Sequence, residues 1–198
     1  MSYEDWIISG VFIFLAIRYW RKKSKKTFSL GESMDVLYVL GAELKSLGDS
    51  LYSTLNAGEA FNDSTLKGVK FEPLARHYIS MLQLRALANI VREKGYIKGE
   101  QNSMHFLEGT YTILTDNLPA FFHSELEKLP FALAQSPKMT MDLWAKSMAN
   151  TASSREHLNE LLGGLMSIAA IIIIEAQVKA CQAFGDSKGA QALINSVK

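Results

Sequence analysis

Residues 1–26 place the strongest constraint on what this chain can become. Two acids, Glu4 and Asp5, come first, followed by an apolar run from Trp6 to Ile17 interrupted only by Ser9 and Gly10. Six basic residues follow it: Arg18, Arg21, Lys22, Lys23, Lys25 and Lys26. A cleaved secretory signal carries its basic residues ahead of the apolar stretch and a small-residue cleavage site behind it. Here the acids lead, the bases trail and no Ala-x-Ala-like site occurs. The order predicts a single-pass membrane anchor held with Lys and Arg on the cytoplasmic side. That orientation puts the N-terminus outside and residues 27–198 in the cytoplasm, a pattern that fits a bacterial inner membrane.

The anchor is short. Its strictly apolar core is 12 residues, whereas a spanning helix needs about 20. Trp6 and Trp20 stand where interfacial aromatic side chains belong, Phe12 and Phe14 lie between them, and Arg18 can snorkel toward the headgroups. Counted from Tyr3 to Trp20, a helix reaches about 27 Å, just enough to cross. The basic collar adds attraction to anionic lipid of about 1 kcal/mol per residue near the surface. An interfacial helix and a buried core helix are the alternatives. Trp6–Ile17 has no polar stripe that would favour either.

Beyond the collar the composition changes sign. The whole chain of 198 residues carries a net charge of +1, yet residues 27–198 hold 15 basic against 18 acidic residues. With its one basic run explained by membrane topology, the chain is not expected to bind nucleic acid. A hydrophobic fraction of 48% excludes disorder as the main state. The lone Cys181 excludes a disulfide framework within the chain.

Residues 27–198 read as an all-α domain, a bundle of about six helices, because apolar residues recur at helical spacing and Gly, Asn and Pro punctuate the runs. The first helix is expected from about Ser33 to Leu55, carrying a stripe of Leu37, Leu40, Leu44, Leu47, Leu51 and Leu55. The stripe could pair with another helix in a homo-oligomer or pack within its own domain. A second helix is expected from Pro73 to Lys94, burying Leu74, Tyr78, Leu82, Leu87, Ile90 and Val91 with Arg76, Arg85 and Arg92 toward solvent. Further helices are expected at about 103–117, from Pro119 to just before Pro130, and at about 138–149. The longest should start at a capping box of Ser153 and Glu156 and stop at Gly185. A tail helix at about 187–197 closes the chain.

Within the longest helix, Leu161–Ile174 is apolar on every face. Such a helix is the buried centre of a bundle or a membrane element. At about 21 Å it falls short of a bilayer, so the buried centre is the expectation. Its small residues, Gly163, Gly164, Ser167 and Ala170, would permit close helix approach in either setting.

No catalytic pattern emerges. Phosphate loops, a nucleophile elbow and H-E-x-x-H are all absent. His77, His105, His123 and His157 fall on different predicted helices, and only His105 and Glu108 share a face at i, i+3. Cys181 has Lys179 as its sole nearby cation, thin support for a reactive thiolate. Glu175 is expected to reach solvent after four isoleucines, and Phe121, Phe122 and the methionines of 139–148 to join the core. No enzyme activity, cofactor or metal is expected. The leading functional expectation is a membrane-tethered interaction or accessory protein whose partners are membrane lipid and another protein or a second copy. The alternatives are a membrane-active protein (pore, lysis or toxin-like) that inserts residues 158–174, and a bundle that binds an apolar ligand or lipid.

Overall fold

The computed structural model describes residues 27–57, 71–116, 137–138 and 152–197. Among them are five helices and no strand: α1 (Leu30–Ala57), α2 (Phe71–Lys94), α3 (Glu100–Thr115), α4 (Arg155–Ala183) and α5 (Ser187–Asn195). The all-α expectation therefore holds for this part of the chain. The anchor, the collar and the helices expected from Pro119 to just before Pro130 and at 138–149 lie outside the described residues, apart from Lys138 itself.

The helix ends follow from local chemistry. Ser29 and Glu32 close a capping box at α1: Ser29 N–H donates to Glu32 Oε2 at 2.9 Å, and Glu32 N–H donates to Ser29 Oγ at 3.3 Å. These bonds satisfy amide groups that the first turn leaves without helical partners, so α1 starts three residues before the expected Ser33. At α4 the expected box is displaced by one residue. Ser154 is the cap, its Oγ accepting from His157 N–H at 3.1 Å, while Ser153 Oγ sits 3.2 Å from the His157 ring. The end of α4 is a Schellman motif: Asp186 N–H reaches Cys181 O at 2.7 Å and Gly185 N–H reaches Gln182 O at 3.0 Å. Gly185 takes φ 72°, which a glycine adopts without a side-chain clash.

The centre of the bundle is α2, and here the structure corrects the sequence reading. From Ala75 to Val91 only Arg85 and Asn89 are exposed, with Arg76 half-buried. Met81, Leu84, Leu87, Ile90 and Val91 enter one core with Leu37, Leu40 and Leu44 of α1 and Phe106, Leu107 and Tyr111 of α3. Ala75, Tyr78, Ile79 and Leu82 join Tyr52, Leu165 and Ile172 in a second. The helix also carries three polar residues, His77, Ser80 and Gln83, and all three are buried. Gln83 Nε2 donates to Leu44 O at 2.8 Å, and Ser80 Oγ reaches Leu114 O at 3.4 Å. Such bonds remove most of the cost of burying an amide or hydroxyl.

Around α2, α1 and α3 approach closely. A Cβ on Gly41 would sit 3.0 Å from Ile113, and one on Gly109 would sit 3.0 Å from Leu37. The chain enters the bundle at Phe28, whose N–H donates to Tyr96 O at 2.7 Å and whose O accepts from Lys98 N–H at 3.2 Å. Its ring meets Phe184 at 5.2 Å, edge to face, while Phe184 stacks on Tyr96 at 4.8 Å.

Leu84→Ala and Leu87→Ala are each expected to cost about 2–5 kcal/mol, the range for emptying a well-packed leucine site, seen as a lower urea midpoint. A loss of about 0.5 kcal/mol, the size of a surface substitution, would contradict the central position of α2.

Candidate functional site

The sequence-predicted site residues are only partly among those the structure describes. The anchor residues Trp6, Phe12, Phe14 and Trp20 and the collar from Arg18 to Lys26 lie outside the described residues. Of the leucine stripe, Leu37, Leu40 and Leu44 are fully inside the bundle, while Leu47 and Leu51 pack half-buried against its edge. The stripe is thus spent on its own chain. His105 Nδ1 lies 3.2 Å from Glu108 Oε2 on the exposed side of α3. No group of three His, Cys, Asp or Glu gathers around that pair or elsewhere among the described residues. Glu175 is exposed, as its position after the isoleucines suggested.

Arg76 departs from its expected solvent position. Its guanidinium lies 4.5 Å over the Tyr52 ring and pairs with Asp49, so the cation joins α2 to α1. The cleft beside it, lined by Lys45, Asp49, Ser80 and Gln83 among others, has a volume of about 30 Å³. That is room for a water or two, far below the 300 Å³ or so of a small-molecule site.

Cys181 is buried beside a polar cluster. Tyr96 Oη donates to Asp186 Oδ2 at 2.7 Å and lies 3.2 Å from Cys181 Sγ. Asp186 Oδ1 meanwhile accepts from Gly189 N–H at 2.9 Å, capping α5. Burial, reinforced by its bonds to Cys181 and Asp186, pushes the Tyr96 phenol up. Burial likewise pushes the Cys181 thiol up. A neutral thiol in a closed setting is a poor nucleophile, and the hydrogen bonds of the cluster hold the α4–α5 corner. His77 is also buried, and desolvation lowers its imidazole from 6.5 to about 4.

The feature that stands apart is α4. It is the one described helix long and apolar enough to cross a membrane, yet only 18% of its most apolar 18-residue window is buried. Leu165 and Ile172 are 1% and 0% exposed against α2 and α1. On the opposite side Met166 is 66% and Ile171 47% exposed, and Gly163, Gly164, Ser167 and Ala170 are open beside them. The expected buried centre is therefore a peripheral helix with one face in the bundle and one outside. A periodicity argument could not find this, because a helix apolar all round has no stripe to mark its inner side. Even the one hydroxyl on the open face is turned back on the helix, Ser167 Oγ donating to Gly163 O at 3.0 Å. A Cβ on Gly163 or Gly164 would meet nothing within 4 Å. Each glycine costs a helix roughly 1 kcal/mol relative to alanine, and the packing seen here offers no compensation.

No protein-family model, no curated protein and no solved structure matches this chain.

Two measurements follow from these placements. Ile172→Asp puts a charge into the core and should abolish cooperative unfolding, whereas Ile171→Asp, one residue along, should leave the helical circular dichroism and the melt intact. Equal damage from both would remove the distinction between the two faces. For His77, the folded imidazole refuses a proton that the unfolded chain accepts. The stability tied to its neutral form is complete above pH 6.5 and declines as pH falls from 6.5 toward about 4. The full span is of the order of 3 kcal/mol. Unfolding free energies of wild type and His77→Gln, compared across that window, should diverge in slope; parallel curves would exclude His77 as the source.

Proposed function

We propose that this protein is a membrane-tethered helical interaction protein. Residues 1–26 anchor it once with the N-terminus outside, residues 27–198 form its cytoplasmic bundle, and the open face of α4 is the surface it offers to a protein partner. The observation that carries this reading is the exposed apolar face of α4, centred on Met166 and Ile171, on a helix whose other side is fixed in the core. An apolar face that is open while its helix is already held by a core marks an interaction surface. The acids-apolar-bases order of residues 1–26 supplies the membrane half.

The length and hydropathy of α4 also favour a second reading, insertion of residues 158–174 as a membrane-active element. Two features weigh against it. Crossing a bilayer would strip Leu165 and Ile172 from the second core, and Glu160 and Glu175 bracket only about 21 Å of apolar helix.

Fractionation of the full chain separates the two. Wild type should pellet with membranes and resist alkaline carbonate, and Phe12→Asp with Phe14→Asp should release it to the supernatant. Retention of that double variant in carbonate-washed membranes would favour insertion of α4. A wild-type chain that never binds membranes would overturn both.

A further inference from the structure

We propose that the outer face of α1 pairs with the same face of a second copy of this chain, the two helices running antiparallel across a two-fold axis. This surface is separate from the open face of α4, and the proposal does not rest on the tether reading.

The first argument is what α1 leaves outside. Its leucine stripe faces the bundle, yet on the opposite side Tyr38 is 65% and Val39 57% exposed, with Met34 exposed one turn before them. Tyrosine and methionine are enriched where proteins meet. Residues 31, 35, 38, 42, 45 and 49 run along this side at alternating spacings of four and three, all exposed except the half-buried Lys45. That spacing draws a straight seam on a helix, the form that pairs with another helix.

The second argument is charge. Asp35 and Lys45 both lie on the seam, and neither makes an ion pair or a side-chain hydrogen bond among the described residues. Ten residues separate them, about 15 Å of helix, so they cannot satisfy each other within one chain. An antiparallel second copy with its Lys45 opposite Asp35 satisfies both, and symmetry makes the pair twice. A parallel copy would set Asp35 on Asp35 and Lys45 on Lys45. Sliding the antiparallel copy by one turn sets Asp35 opposite Gly41 in one direction and opposite Asp49 in the other, so the charges select one register.

The third argument is shape. In that register Tyr38 falls opposite Ala42 of the second copy, Met34 opposite Ser46, and Asp49 opposite Gly31. Each larger side chain meets a small one, and each meeting occurs twice, which makes the face complementary to itself. A Cβ on Gly31 would meet nothing within 4 Å. A helical glycine costs roughly 1 kcal/mol against alanine, and the single chain shows no contact that requires it. The Asp49 of a second copy, already held by its own Arg76, is the neighbour for which that space is left.

Charge exchange in the full chain tests the pairing, in non-ionic detergent at low salt, with mass read by density-matched sedimentation over a concentration series. Wild type is expected to pass reversibly from monomer to dimer. Asp35→Lys and Lys45→Asp should each weaken the dimer roughly tenfold, because each turns two attractive contacts into repulsive ones. The double exchange, Asp35→Lys with Lys45→Asp, should restore it. Ala42→Arg fills the space assigned to Tyr38 and should leave only monomer, with helical circular dichroism unchanged. Recovery in the double exchange separates a lost contact from a damaged fold. A wild type that stays monomeric, a dimer indifferent to the single exchanges or to Ala42→Arg, or a double exchange no stronger than the singles would each overturn the proposal.

Discussion

Everything in this bundle is arranged around the burial of α2. Between Ala75 and Val91 the helix has almost no solvent face, so every polar side chain on it must be satisfied from the elements around it. Gln83 takes the Leu44 carbonyl of α1 and Ser80 takes the Leu114 carbonyl of α3. These bonds fix the rotation of α2 about its axis, because turning it would strand an amide in the core at about 1–3 kcal/mol. Once α2 is fixed, its apolar residues determine where α1, α3 and α4 can lie.

Much of this was legible in the sequence, and the misses have physical causes. The leucine stripe of α1 and the residues from Tyr78 to Val91 were readable because helical periodicity records which side faces a core. Gly185 was readable as a stop because a left-handed residue ends a helix with little strain only if it is glycine. The start of α1 was missed although Ser29-Leu30-Gly31-Glu32 spells a capping box as clearly as Ser153 to Glu156 does. At α4 two adjacent serines competed for one cap, and Ser154 took it. Spacing alone cannot rank Ser153 against Ser154; the choice depends on which residue leaves the extended region first.

The larger miss concerned which helix is central. Hydrophobicity ranked α4 above α2, but centrality is a matter of satisfied polar groups as well as apolar ones. Nothing local distinguishes a glutamine that will meet a carbonyl 39 positions away from one that will meet water. The candidate surface was half legible for the same reason. The apolar run of α4 was plain, its small residues were plain, and its two sides were not, since the partner that divides them is α2.

The clasp at Phe28 has a mechanical consequence. One residue, Thr27, separates Lys26 from a residue bonded into the α2–α3 turn and set edge to face against the ring at the end of α4. The bundle is therefore gripped at the point where the described chain begins. Any pull on the chain ahead of Phe28 arrives first at two backbone hydrogen bonds and one aromatic edge, at the turn between α2 and α3 and the C-terminal end of α4.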